Sequence, residues 1–218
     1  GTFNAEYGRA MSGVVNVVTR DGGPKFEGSV SLGGSSYYTD NTDIFVGLDP
    51  SINTSQDIKF SLGGPVIGDK VTFFSNVRVQ TNNGHLNGLR LFEVANFSNF
   101  YSDDSTTWFS EKTGDSSYVS MNSSNNLSAL FKLSFNLFNG IRFSTLYSHS
   151  NDSWQGYDHS FKYNPDGRST DHKVTNYFAF QLNQMFSQKL FYELKYSVVD
   201  NDYGSYVYED PLDSRYVH

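Results

Sequence analysis

Apolar and polar residues alternate singly through much of the chain, in runs separated by polar stretches of two different lengths. Between residues 25 and 38, Phe26, Val30 and Leu32 alternate with Glu27, Ser29, Ser31 and Gly33, a period of two that places them on opposite faces of a strand. The same period sets Ile58, Phe60 and Leu62 against Lys59 and Ser61, ending at Gly63-Gly64-Pro65, and then Val71, Phe73, Val77 and Val79 against Thr72, Asn76 and Arg78. It returns with Leu127, Ala129, Phe131, Leu133, Phe135 and Leu137 against Ser128, Lys132, Ser134 and Asn136. Next come Ile141, Phe143, Thr145 and Tyr147 against Arg142, Ser144 and Ser148. Val174, Phe178, Phe180 and Leu182 oppose Thr175, Gln181 and Asn183, and Leu190, Tyr192, Leu194, Tyr196 and Val198 oppose Glu193, Lys195 and Ser197. The chain is predicted to be all-β, with about seven strands after residue 25.

The connections carry as much information as the strands. Residues 65–70, Asn139-Gly140 and residues 187–189 read as short turns, Asn-Gly being the strongest hairpin signal in a sequence. Residues 40–53, 81–124 and 151–172 are long and polar, the middle one of about 40 residues where connections beyond about 15 are uncommon. Long and short connections therefore alternate, as they do in outer-membrane barrels, and a soluble sandwich has no reason to keep that order. Lys59, Arg78, Lys132, Arg142, Glu193 and Lys195 all fall on the face opposite the aliphatics. Facing lipid, each Lys or Arg would cost about 2–4 kcal/mol at the bilayer midplane. With the short turns periplasmic, strand parity puts Asn41, Asp104, Trp154 and Asp202 on the extracellular side.

Composition supports a barrel. Of 218 residues 17% are aromatic, yet the mean hydropathy is -0.48, because Ser and Asn dilute the apolar positions. No window of about 18 apolar residues exists, which excludes a transmembrane helix, whereas a transmembrane strand needs only about 10 residues. Cysteine is absent, so no disulfide or thiolate chemistry arises. A net charge of -7 without a basic patch argues against nucleic acid as a partner.

Near the start, Val14, Val15, Val17 and Val18 flank Asn16 between Gly13 and Asp21-Gly22-Gly23-Pro24, a short strand buried on both faces. Taken alone this fits the core of a soluble domain equally well. The longer run from Phe3-Asn4-Ala5-Glu6-Tyr7-Gly8-Arg9 through Gly13-Val14-Val15-Asn16-Val17-Val18-Thr19-Arg20 resembles the end of the plug of TonB-dependent outer-membrane receptors, with Glu6, Tyr7, Gly8, Gly13, Asn16, Thr19 and Arg20 as its signature. The Phe-Asn-Ala-Glu-Tyr-Gly-Arg form looks most like Oar-type receptors. Met11-Ser12-Gly13-Val14 departs from the starch-utilisation type, which puts a surface lipoprotein partner in doubt.

The resemblance implies that residues 1–22 end a plug domain and residues 23–218 form the N-terminal part of an antiparallel transmembrane β-barrel. Roughly 22 strands accompany a plugged lumen, so seven cannot close alone. The chain is accordingly expected to be an internal fragment, with other chains or segments supplying the remaining strands and any signal peptide lying outside it. The implied function is uptake of a scarce nutrient (oligosaccharide, peptide or siderophore) across the bacterial outer membrane. Its implied partners are outer-membrane lipid, the nutrient, and the TonB complex acting through a plug segment upstream. The rival reading is a structural or surface-adhesion barrel without transport.

No catalytic constellation is present, and the chain is not expected to be an enzyme. His85, His149, His159, His172 and His218 lack metal-ligand spacing, and no Gly-x-Ser-x-Gly elbow occurs. Loop carboxylates such as Asp103 and Asp104 offer calcium ligands, but none has a calcium-loop spacing; solvated carboxylates are the favoured reading, and no metal or cofactor is expected. Trp108, Phe109, Trp154 and Tyr157, in the long loops, are the candidate ligand-binding residues. Packing between loops and an interfacial girdle are the competing roles for them.

Overall fold

The computed structural model describes residues 19–48, 54–138, 140–187 and 189–216, apart from the side chain of Leu137. Glu6, Tyr7, Gly8, Gly13 and Asn16 of the N-terminal signature, and Asn139 of the hairpin, lie outside the described residues. Among the described residues the strands are β1 (Glu27–Ser35), β2 (Ser55–Ile67), β3 (Val71–Asn82), β4 (Asn87–Leu89), β5 (Ser98–Asn99), β6 (Phe109–Ser110), β7 (Tyr118–Ser120), β8 (Ser124–Phe138), β9 (Ile141–Trp154), β10 (Thr170–Ser187) and β11 (Leu190–Tyr206). The fold is all-β. Seven strands form one sheet in the order β1-β2-β3-β8-β9-β10-β11, every pair antiparallel. The sheet is open, with β1 and β11 at its edges.

The ladder register confirms the two faces expected from the alternation. Residues directly opposite one another share a face. One row runs Lys59–Arg78–Ser128–Ser150–Thr175–Asn201, and the row beside it on the other face runs Phe60–Val77–Ala129–His149–Asn176–Asp200. Further along, Leu62 is followed by Ser75, Phe131, Tyr147, Phe178 and Val198. Phe60, Phe131, Tyr147, Phe178, Leu194, Tyr196 and Val198 are exposed on this apolar face. Phe135 and Phe143 stack there at 4.1 Å, with Phe180 5.9 Å from Phe143. Lys132, Arg142, Glu193 and Lys195 point the other way, in rows with Phe74 and Leu146, with Asn183, and with Gln181.

Several strands outrun their alternation. β2 continues through Gly63-Gly64-Pro65 to Ile67 where a stop was expected, and the turn shrinks to residues 68–70. Proline is tolerated there because the β1 ladder ends at Gly63, and the β2–β3 register shifts between Pro65 and Ile67. β9, β10 and β11 extend to Trp154, back to Thr170 and on to Tyr206. Beyond the apolar belt both faces are polar, so the period vanishes while the backbone ladder continues. Gly140 has φ +79, the left-handed conformation the hairpin requires, and its carbonyl accepts from Met185 N at 2.7 Å.

Residues 83–123, expected as an irregular loop, form an interrupted ribbon that prolongs the β3–β8 hairpin. β4 pairs with β7, and further out β5 pairs with β6. Arg90 N donates to Ser117 O at 2.9 Å and Gly114 N to Leu91 O at 3.2 Å between the two pairs.

Candidate functional site

Two assemblies hold side chains in arrangements that a plain strand meander does not need. The first lies on the polar face of the sheet. Residues 19–24 cross it, and Asp21 lands among groups from two strands. Its carboxylate pairs with Lys132 at 2.9 Å, accepts from Ser134 Oγ at 2.7 Å, and pairs with Arg142. Lys132 also donates to Thr19 Oγ1 at 3.0 Å. The overlying segment leaves Lys132 9% and Ser134 2% exposed. Arg20, also in the signature, pairs with Glu27 at 2.6 Å and lies over the Phe74 ring.

The backbone comes equally close. A Cβ on Gly22 would stand 2.1 Å from the carbonyl oxygen of Phe73, and the Gly22 Cα lies 3.6 Å from where a Cβ of Gly63 would be. Two glycines thus let the crossing segment press onto β2 and β3 while Asp21 fastens it to β8 and β9. Nearer the far end of the same face, Asp57 bridges Lys59 at 2.9 Å and Arg78 at 2.8 Å. A cavity of about 700 Å³ between Thr19 and the polar face of β8–β11 is lined by Lys132, Tyr177, Gln181 and Glu193 among others.

The second assembly sits where the long connections meet, at the opposite end from the short turns. Asn87 Nδ2 donates to the carbonyls of Val46 and Gly47 at 3.1 and 2.9 Å, tying in the first long connection. Leu89 N donates to Lys162 O at 2.8 Å and Phe92 N to Tyr163 O at 3.0 Å, tying in the third. Met121, at 0% exposure, and Pro165 form a small core between them. Arg90 bridges Asp166 at 2.5 Å and Asp115 at 3.2 Å, and these carboxylates, Asp166 first, raise its pKa above the ordinary guanidinium value. Hydrogen bonds from the hydroxyls and backbone amides of Ser117 and Ser160 hold the Asp115 and Asp158 carboxyls below the usual range.

The aromatic candidates divide between parts of this body. Trp108 follows the single-turn helix Ser105–Thr107, donates from Nε1 to Ser102 O at 2.7 Å, and meets Phe100 edge-on at 5.9 Å. Phe109, in β6, lies 5.7 Å from Phe97. Trp154 closes β9 with its ring 6.3 Å from Tyr203, and the Tyr157 hydroxyl is 2.8 Å from His159 Nδ1. No ring contact among the described residues joins Trp108 or Phe109 to Trp154 or Tyr157. The Asp21 cluster was missed from sequence. Its signal was present in Lys132, Ser134 and Arg142 on the polar face, but nothing local said that Asp21 would reach them.

Over 82 residues, 34% of this chain, the sequence is 33% identical to the TonB-dependent transporter Oar of Myxococcus xanthus. The match spans 8% of the length of that protein. No protein-family profile matches the chain, and no solved structure does. The likeness agrees in kind with the N-terminal signature and with the all-β sheet. Among the described residues no helix is long and apolar enough to cross a membrane.

Proposed function

We propose that the chain is the N-terminal wall, with the end of the plug, of a TonB-dependent outer-membrane importer that takes up a scarce nutrient through a plugged barrel of roughly 22 strands. Residues 1–22 end the plug in this reading, and residues 23–218 supply the first seven strands. The observation that carries it is the pairing of one apolar and one polar face across seven antiparallel strands with the clamping of residues 19–22 onto the polar one. A plug must be tethered inside its barrel, and a polar wall with a docked entering segment is what that tether requires. Lipid meets the apolar face, the TonB complex pulls on a plug segment upstream, and the nutrient enters from the side of the long connections. The chain performs no reaction of its own.

Two measurements test this in the full-length protein. Single cysteines at Asp104 and Trp154 should react with an impermeant thiol reagent on intact cells, and one at Asp69 should not. Uptake of labelled peptide and oligosaccharide pools should disappear on deletion of TonB. Labelling at Asp69 with protection at Asp104 inverts the topology. Uptake that survives the deletion overturns the importer and leaves a structural or adhesion barrel instead.

A further inference from the structure

The outermost part of the ribbon, residues 93–112, is an aromatic hairpin set with carboxylates, and it carries two of the candidate ligand-binding residues, Trp108 and Phe109, with no ligand chemistry yet assigned to them. Its stem is fixed. Asn96 Nδ2 donates to Thr113 Oγ1 at 2.7 Å, Ser98 and Ser110 hydroxyls meet at 2.7 Å, and Asn99 pairs with Phe109. Strand pairing places Phe97, Phe109 and Glu111 on one face, where Glu111 accepts from Phe97 N at 2.8 Å. The Phe100–Trp108 pair occupies the other, and the indole bond to Ser102 seats it against the turn that carries Asp103 and Asp104. Each aromatic pair is therefore beside at least one carboxylate. Phe97, Phe100, Trp108 and Phe109 stay about half exposed, and Tyr101, at the apex, is 97% exposed. The segment carries Glu93, Asp103, Asp104 and Glu111 against the single basic residue Lys112, and that ammonium already lies over the Phe92 ring at 5.9 Å.

We propose that this hairpin is a capture element for cationic peptide segments, binding arginine or lysine side chains on its two aromatic faces with the adjacent carboxylates as counter-charges. The inference deepens the importer reading and rests on it only for the position of the hairpin outside the cell. Exposed rings need a ligand with affinity for a π face. The carboxylates of Glu111 and of the Asp103–Asp104 turn select a cation over a neutral sugar and reject anionic chelates. A guanidinium is favoured over an ammonium because it stacks flat on a ring while its N–H groups reach a carboxylate. Each exposed cation–π contact contributes a factor of about two to five in affinity, so several rings acting together are required.

The probe is hexaarginine amide, titrated by calorimetry into the full-length protein in phosphatidylcholine nanodiscs, with hexalysine, hexaglutamate and maltohexaose as comparators. Hexaarginine should bind most tightly, and should weaken about fivefold in Trp108→Ala and in the Asp103→Asn, Asp104→Asn double variant. Its affinity should fall as salt rises from about 0.05 to about 0.3 M. Tyr101→Ser, which removes a ring with almost no packing role, should weaken binding about twofold and guards against a misfolded tip in the tryptophan variant. Equal affinity in all these variants overturns the proposal, as does binding of maltohexaose in place of hexaarginine or of neither. Hexaarginine binding in a protein whose cells show no TonB-dependent uptake would refute the importer and keep the capture element; the converse result would do the reverse.

Discussion

Replacing Asp21 by Asn should release the segment that crosses the polar face without unfolding the sheet. The carboxylate has two kinds of partner. Lys132, with its side chain 11% exposed, and the buried Ser134 form charge-assisted hydrogen bonds, a class that contributes about 1.5–3 kcal/mol. Arg142, at 47% side-chain exposure, forms an ion pair of the screened kind, about 0–1 kcal/mol. Asparagine keeps an acceptor for Ser134 and loses the charge, while Lys132 retains Thr19, so the net cost is about 2 kcal/mol, or about 30-fold in the population of the undocked segment. Residues 1–218 contain no cysteine, so in a full-length background freed of any others the thiol of a Ser134→Cys variant reports this opening alone. At 2% exposure the position is shielded while the segment is docked. In full-length protein the thiol should be modified about 30-fold faster when Asp21→Asn is added, and at an unchanged rate when Asp69→Asn, in a short turn, is added. Rates within about twofold of each other in the Asp21 pair would refute the clamp and show that backbone packing at Gly22 holds the segment.

Three further outcomes follow from the same geometry. Phe131→Arg, on the apolar face, should destabilise the protein folded in lipid vesicles by about 2–4 kcal/mol in a urea titration, whereas Asn76→Lys on the polar face should shift it by under about 1 kcal/mol. Gly88→Ala should loosen the body formed by the long connections by about 1–3 kcal/mol, because its Cβ would stand 2.6 Å from the Met121 sulfur and 2.7 Å from Lys162 O. Faster proteolysis within residues 83–123 would register it. The carboxyls of Asp115 and Asp158 titrate lower folded than unfolded, so their contribution is complete above the unfolded value near 4 and is lost as pH falls through the folded values. Protease protection of the long connections should therefore be flat from about pH 8 to pH 4 and decline below that.

The sheet was legible because the same period-two alternation recurs from strand to strand, from Ile58-Lys59-Phe60 to Leu194-Lys195-Tyr196. What escaped was wherever that alternation stops being enforced. Thr170 to Lys173 and Asn201 to Tyr206 are polar on both faces, so only the ladder, which leaves no trace in side-chain pattern, shows them to be strand. The ribbon of residues 83–123 escaped for a related reason. Its order comes from Asn87, Asn122 and Arg90 bonding to partners far away in sequence, and such residues are indistinguishable from solvated loop polars. Of the candidate aromatics, Trp108, Phe109 and Tyr157 could be placed in the long connections in advance, whereas Trp154, expected in a loop, is the last residue of the β9 ladder, opposite Asp171. Their division into the Trp108–Phe100 and Phe109–Phe97 pairs on one hairpin and Trp154 against Tyr203 elsewhere depended on the ribbon and could not.

That ribbon also changes what the longest connection means for assembly. Bringing β3 to β8 across a structureless chain of about 40 residues would demand one large loop closure, the longest in a sheet whose β2–β3, β8–β9 and β10–β11 pairs join through tight turns. Here the closure divides into nested ones. Once β5 meets β6 at the tip, β4 and β7 need only close the short remainder, and their pairing brings Asn82 opposite Ser124, where the β3–β8 ladder begins. The hairpin can therefore zip from its outer end toward the sheet, with no step joining residues far apart along the free chain. An insertion that looks costly in sequence is divided into closures each much shorter than its full length.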